Sequence, residues 1–142
     1  MKLELIENPD VDLIHFFDER IREFNEARWE VKKKFPIALK IENEKGEIIA
    51  GAAAKTFGLW LLIDNIWVHE DYRGQNLGSK ILIKLESAAA LRGCAYSLLD
   101  TLNFQAQPFY EKFGYQTKWV QENYPQKGCK YFMTKNLQPV RA

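Results

Sequence analysis

The sequence predicts a single mixed α and β domain, and three observations predict it. Short runs alternate apolar and polar residues as strands do, other runs repeat apolar residues at three-and-four spacing as helices do, and the two kinds interleave along one chain. A length of 142 residues, with 46% hydrophobic and 13% aromatic content, buries one sizeable core and is too short for two ordinary domains. The domain is therefore expected at 1–137, with a loose tail at 138–142.

Residues 1–7 alternate as a strand would, and Asn8, Pro9 and Asp10 then offer a capping side chain and a proline suited to a helix start. Leu13, Ile14, Phe17, Ile21 and Phe24 recur at helical spacing. Residues 28–34 carry too little pattern to separate an extra N-terminal helix from a loop. Strands at 35–42 and 47–57 flank the turn residues Asn43, Glu44, Lys45 and Gly46, and a third at 59–68 follows Gly58, which predicts an antiparallel meander. The period then changes: Leu77, Ile81, Leu82, Leu85, Ala88 and Ala89 line one helical face before Arg92 and Gly93 close it. A short apolar strand at 95–99, a short helix at 105–113 ending at Gly114, and strands at 115–121 and 130–137 complete the order β-α-β-β-β-α-β-α-β-β.

Composition excludes several classes. Twenty Lys and Arg against nineteen Asp and Glu give a net charge of +1, which supplies no excess of positive charge for a nucleic-acid backbone. The N-terminus places acids where a secretory signal needs an apolar core. No window approaches the roughly eighteen uncharged apolar residues of a membrane span, so the expectation is a cytoplasmic protein without a membrane partner. Cys94 and Cys129 lie far apart, and only His15 and His69 could join them, so no disulfide framework and no metal site is expected.

The chemistry concentrates in one turn. Tyr72-Arg73-Gly74-Gln75-Asn76-Leu77-Gly78-Ser79 joins a buried strand to an amphipathic helix, and a helix start presents unpaired N–H groups and positive dipole to an anion. Gly74 and Gly78 remove side chains where backbone must approach phosphate, while Arg73 and Lys80 add charge at the rim; the plain alternative is an ordinary glycine-containing turn. The Gly78-Ser79-Lys80 order breaks the Walker pattern, and a Rossmann fingerprint also fails.

Ile66-Trp67-Val68 followed by this turn resembles the acetyl-CoA motif of the GNAT superfamily of N-acetyltransferases, in which Arg or Gln is followed by x-x-Gly-x-Gly or Ala. A second block, from Asn103 through Phe109-Tyr110-Glu111-Lys112-Phe113-Gly114-Tyr115, is similar to the family's later asparagine and tyrosine helix, with the same seven-residue step from Asn to Tyr. The resemblance implies an α+β fold with a mostly antiparallel sheet flanked by helices. Asn76 departs from the pattern by standing where the motif's first glycine stands. Asparagine tolerates left-handed backbone better than other non-glycine residues, so the departure bears on cofactor affinity more than on fold.

The resemblance further implies acetyl-CoA as donor, with its pantetheine arm along Ile66, Trp67 and Val68, its pyrophosphate at Arg73, Gly74, Gln75, Asn76, Leu77, Gly78 and Ser79, and a cofactor contact at Asn103. Asn103 alternatively caps the helix ahead of Gln105. Tyr110 matches the family's general acid, since a phenol of pKa about 10 can protonate a thiolate whose own pKa is near 8.5; its alternative is a core aromatic beside Phe113. Asp64 interrupts an apolar run, and period two places it on the face of Ile66 and Val68, where it is either a catalytic base or a structural acceptor; Asp100 is the reserve base. Cys94 reads as core. The expected reaction is direct acetyl transfer to a primary amine of a small molecule or of a protein or peptide, the alternative being a non-catalytic acyl-CoA-binding regulatory domain. The expected partners are acetyl-CoA, an amine acceptor and a second copy of the chain as a homodimer, with no nucleic acid.

Overall fold

The computed structural model describes residues 1–137, so the tail expected at 138–142 lies outside the described residues. Two compact units divide the chain after Lys32. In the first, α1 (Val11–Glu26) starts where Asp10 Oδ1 accepts the Leu13 N–H at 2.9 Å, so the capping side chain comes from Asp10. Residues 1–7 enter no strand, which corrects the first expected element. Alternation makes a segment compatible with a sheet, but a strand exists only where a neighbour pairs with its backbone. Residues 28–34 form turn and loop, which resolves that stretch against a further helix.

The second unit is a six-stranded sheet in the order β1-β2-β3-β4-β6-β5, comprising β1 (Phe35–Glu42), β2 (Ile48–Phe57), β3 (Trp60–Val68), β4 (Tyr96–Leu102), β5 (Gln116–Glu122) and β6 (Cys129–Asn136). The expected meander holds, because β1, β2 and β3 pair antiparallel in sequence. Among the described residues only β3 and β4 run parallel; such a pair needs a crossover, which α2 (Leu77–Leu91) supplies. Ile81, Leu82, Leu85 and Ala89 of α2 bury themselves against Ala50, Ala52, Ala54, Leu61 and Ile63 of the sheet. No described helix is long and apolar enough to cross a membrane.

Two elements differ in extent from expectation. β4 runs on through Asp100, Thr101 and Leu102, because the antiparallel ladder with β6 continues past the apolar stretch that marked the strand in sequence. α3 (Gln107–Lys112) starts later than 105 because side chains claim the preceding backbone donors: Gln105 Oε1 accepts the Leu102 N–H at 2.7 Å, and Thr101 Oγ1 accepts the Ala106 N–H at 3.3 Å. Its N-cap is Ala106, so Asn103 does not cap this helix.

Beneath α3 lies a buried polar chain. The Tyr115 hydroxyl bonds Ser97 Oγ at 2.8 Å and donates to Glu86 Oε2 at 2.9 Å, while Lys135 Nζ donates to Glu86 Oε1 at 2.7 Å. The chain ties α2, β4 and β6 together through the residue that follows Gly114.

Candidate active site

The turn after β3 is built from short-range bonds. His69 Nδ1 accepts the Asp71 N–H at 3.0 Å in a single 3-10 turn at Glu70–Tyr72, and Arg73 Nε donates to Val68 O at 3.3 Å, folding the chain back on its strand. Gly74 then takes φ +82° and Asn76 φ 61° with ψ 24°, so the residue standing in for the motif glycine does adopt left-handed backbone. Asn76 precedes α2 without a side-chain capping bond, and the first bond of the helix runs from the Lys80 N–H to Asn76 O at 3.1 Å. Among the described residues, the N–H groups of Gly74, Gln75, Asn76, Leu77, Gly78 and Ser79 have no acceptor. A run of unpaired donors at the positive end of a helix is a cradle for an anion.

This cradle opens on a cleft of about 470 Å³ walled by Val68, Tyr72, Phe109, Lys112 and Phe113. A Cβ added at Gly78 would lie 3.5 Å from Phe109 Cζ, an ordinary contact, so nothing in the protein itself demands glycine there. Of the turn residues named from sequence, all but Gln75 line the cleft; Gln75 borders a neighbouring hollow with Asn43 and His69.

A second cavity, about 300 Å³, lies where β3 and β4 part. Their ladder runs only from Trp60↔Tyr96 to Leu62↔Leu98, so backbone groups of β3 that point toward β4 beyond Leu62 have no ladder partner. A bulge marks the spot: Ile63 opposes Ala54, Asn65 opposes Ala53, and Asp64 is the inserted residue. The bulge shifts the pleat by one, so the buried series Leu61, Ile63 passes to Ile66 and Val68, with Asp64 and Asn65 both exposed. The expectation that Asp64 shares a face with Ile66 and Val68 is thereby corrected, because period two fails across an inserted residue. Its carboxylate meets Lys55 Nζ at 3.0 and 3.3 Å on the opposite side of the sheet from α2.

Tyr110 lines this cavity and is 9% exposed. Its hydroxyl makes no hydrogen bond among the described residues, yet no buried polar side-chain atom there lacks one, so the hydroxyl is reachable from the cavity. Burial first, and the charge of Asp100 second, hold the phenol above its ordinary pKa, which keeps the proton in place. Asp100 lines the same cavity and takes no ion pair or hydrogen bond among the described residues.

Of the remaining sequence candidates, Ile66 borders this second cavity, Val68 borders the cleft, and Trp67 is exposed with its ring edge-on to His69. Asn103 lines neither space; its Oδ1 accepts the Cys129 N–H at 3.1 Å. Cys94 is buried, its Sγ reaches Gly58 O at 3.8 Å, and desolvation raises the thiol, all of which fits core. Lys112 at the cleft lies within the tyrosine-helix block without a role of its own in that motif, and Gln105, Tyr124 and Lys130 at the second cavity belong to no motif.

The unpaired donors fit the pyrophosphate of acetyl-CoA, with Arg73 and Lys112 as nearby cations, and the parted strands offer free backbone groups to its amide-bearing arm. Comparison with known proteins bears on the family and the fold. The acetyltransferase (GNAT) family model matches residues 3–115. The chain is 33% identical over 95 residues to blasticidin-S acetyltransferase of Streptomyces morookaense, covering 66% of this chain and 70% of that protein. A solved acetyltransferase from Bacillus cereus superposes with a TM-score of 0.85 at 30% identity, over 94% of this chain and 98% of that one. A Bacillus anthracis protein assigned as a streptothricin acetyltransferase, solved with acetyl coenzyme A, shares the fold at 19% identity with a TM-score of 0.64, over 73% of this chain and 64% of that one. The family match across most of the chain, carried on the same fold, establishes that this protein belongs to the acetyltransferase (GNAT) family and is an N-acetyltransferase with acetyl-CoA as its donor.

Proposed function

We propose that the enzyme acetylates a primary amine of a small molecule directly, with no acyl-enzyme stage, in the cavity where β3 and β4 part. The observation that carries this reading is the Tyr110 hydroxyl, protonated, without a hydrogen-bond partner among the described residues and open to that cavity. The turn at 74–79 holds the pyrophosphate, and the backbone of Ile66, Trp67 and Val68 holds the arm that brings the acetyl thioester to the cavity. Tyr110 gives its proton to the departing sulfur as the carbon–sulfur bond breaks. Asp100 receives the proton that the amine sheds as the carbon–nitrogen bond forms; it is preferred to Asp64 because Lys55 already occupies the Asp64 carboxylate. Asn103 Oδ1 accepts the Cys129 N–H, and Nδ2 is the donor this side chain has to offer a cofactor.

Two arguments favour a small acceptor over a protein terminus. The cavity of about 300 Å³ is of small-ligand size. Two of the similar proteins are named for acetylating small antibiotics, blasticidin S and streptothricin. Free thiols at Cys94 and Cys129 support a reducing, cytoplasmic setting. The test is a panel of amines, including blasticidin S, streptothricin, spermidine and a lysine-bearing peptide, read by release of CoA thiol. At least one small amine should be turned over, and Tyr110→Phe should cut that turnover on the order of a hundredfold while calorimetry shows acetyl-CoA bound as before. Thiol release with the peptide alone, or undiminished turnover in Tyr110→Phe when chemistry limits the rate, would overturn the reading.

A further inference from the structure

Asn103 follows β4 directly, and both its backbone and its side chain are bonded to the first residue of β6. Its N–H donates to Cys129 O at 3.0 Å, and its Oδ1 accepts the Cys129 N–H at 3.1 Å. The connection between β5 and β6 closes on itself just before this point, where the Tyr124 N–H donates to Gly128 O at 2.9 Å after Asn123 has taken φ 57°. Gly128 is wedged between the two. A Cβ there would come within 2.7 Å of Asn103 Oδ1 and 2.7 Å of Tyr124 O, a distance real Cβ contacts essentially never show, so only glycine lets the loop lie against the amide. This same stretch delivers Tyr124 and Lys130 to the wall of the cavity that holds Tyr110, with Lys130 Nζ 4.3 Å from the Tyr124 ring centroid.

From this geometry we propose that Asn103 is a positioning residue for the acceptor: its Oδ1 latches the β5–β6 loop and thereby sets where Tyr124 and Lys130 stand in the cavity wall. The inference rests on reading that cavity as the acceptor site. The latch is an oxygen accepting a main-chain N–H, so aspartate can reproduce it and alanine cannot. The Nδ2 group, through which this asparagine would reach a cofactor, takes no part in it.

The discriminating set is the wild-type chain, Asn103→Ala and Asn103→Asp. Each is examined by hydrogen exchange over residues 123–130, by calorimetric titration with acetyl-CoA, and by steady-state kinetics with the most rapidly acetylated amine of the panel. In Asn103→Ala, exchange across the loop should accelerate and the amine KM should rise, each on the order of tenfold, with the affinity for acetyl-CoA held within about twofold. Asn103→Asp should return loop exchange and amine KM to near wild-type values. Unchanged loop exchange in Asn103→Ala overturns the latch. So does weakened acetyl-CoA binding in both variants with an unaltered amine KM, which would assign the residue to the cofactor through Nδ2. If the wild-type chain acetylates no amine, the proposed acceptor reaction fails, while exchange and calorimetry still decide whether Asn103 holds the loop.

Discussion

A carboxylate introduced at position 78 would stand among the unpaired N–H donors of residues 74–79. The protein itself should tolerate it: a Cβ there meets Phe109 Cζ at 3.5 Å and Val68 Cγ2 at 4.0 Å, both ordinary contacts, and aspartate is no worse a helix residue than glycine. The cost falls on the ligand. Two like unit charges about 5 Å apart repel by roughly 3 kcal/mol at an effective dielectric near 20. The second phosphate charge raises that figure, and solvent and salt at an open cleft reduce it, leaving on the order of 2–3 kcal/mol, or about a hundredfold in Kd. Calorimetric titration of wild type, Gly78→Ala and Gly78→Asp with acetyl-CoA, alongside thermal melts, separates bulk from charge. Gly78→Asp should bind about a hundredfold more weakly than wild type and recover partly at high salt, with its melting temperature little changed. A folded Gly78→Asp whose affinity matches that of Gly78→Ala within about threefold, with no salt dependence, would mean that the pyrophosphate does not lie on this turn.

Asn76→Gly should preserve or tighten acetyl-CoA binding, since φ 61° suits glycine and the Asn side chain makes no capping bond to lose; marked weakening on titration would instead give that side chain a ligand contact. Asp100→Asn should lower turnover on the order of a hundredfold near neutral pH, with part returning as rising pH deprotonates the amine unaided. Asp64→Asn removes only an exposed ion pair worth about 1 kcal/mol or less and should change turnover little; pH–rate profiles in which Asp64→Asn carries the larger defect would reverse these roles. Tyr115 supplies a test of the buried polar chain. Burial, then the charge of Glu86, raises its phenol well above the unfolded value of about 10, so this stability is complete below that pH and is lost as pH climbs beyond it, when the unfolded phenol ionises and the folded one does not. Tyr115→Phe should flatten that alkaline loss, at a cost near neutrality of about 1–3 kcal/mol for leaving Ser97 and Glu86 short of a partner; thermal melts from neutral to alkaline pH check both, and an unchanged alkaline slope would refute the account.

The turn between β3 and α2 was legible because its geometry is set by backbone, and backbone demands leave marks in sequence. A turn that needs left-handed backbone restricts itself to glycine and asparagine, and Gly74 and Asn76 carry that signature. Tyr110 was legible through its step from Asn103. Asp64 was legible as a break in an apolar run, but its face was not, because an inserted residue is invisible to a rule that counts by two. Residues 1–7 failed differently, since alternation says nothing about whether a partner strand is present. The second cavity was hardly legible at all. Gln105, Tyr124 and Lys130 converge only after β4, β5 and β6 have paired, and contacts made by long-range pairing leave no local period or motif.

The brief ladder between β3 and β4 has a mechanical consequence. It leaves the sheet as two antiparallel panels, β1-β2-β3 and β4-β6-β5, stitched by three residue pairs and by the α2 crossover. Such a seam is the place where an otherwise continuous sheet should breathe first, because fewer ladder bonds hold it than hold the antiparallel pairs on either side. A ligand arm that hydrogen-bonds in the gap completes the seam as a short length of strand would. Its binding energy then adds to the cohesion of the whole domain, so that donor occupancy and rigidity rise together.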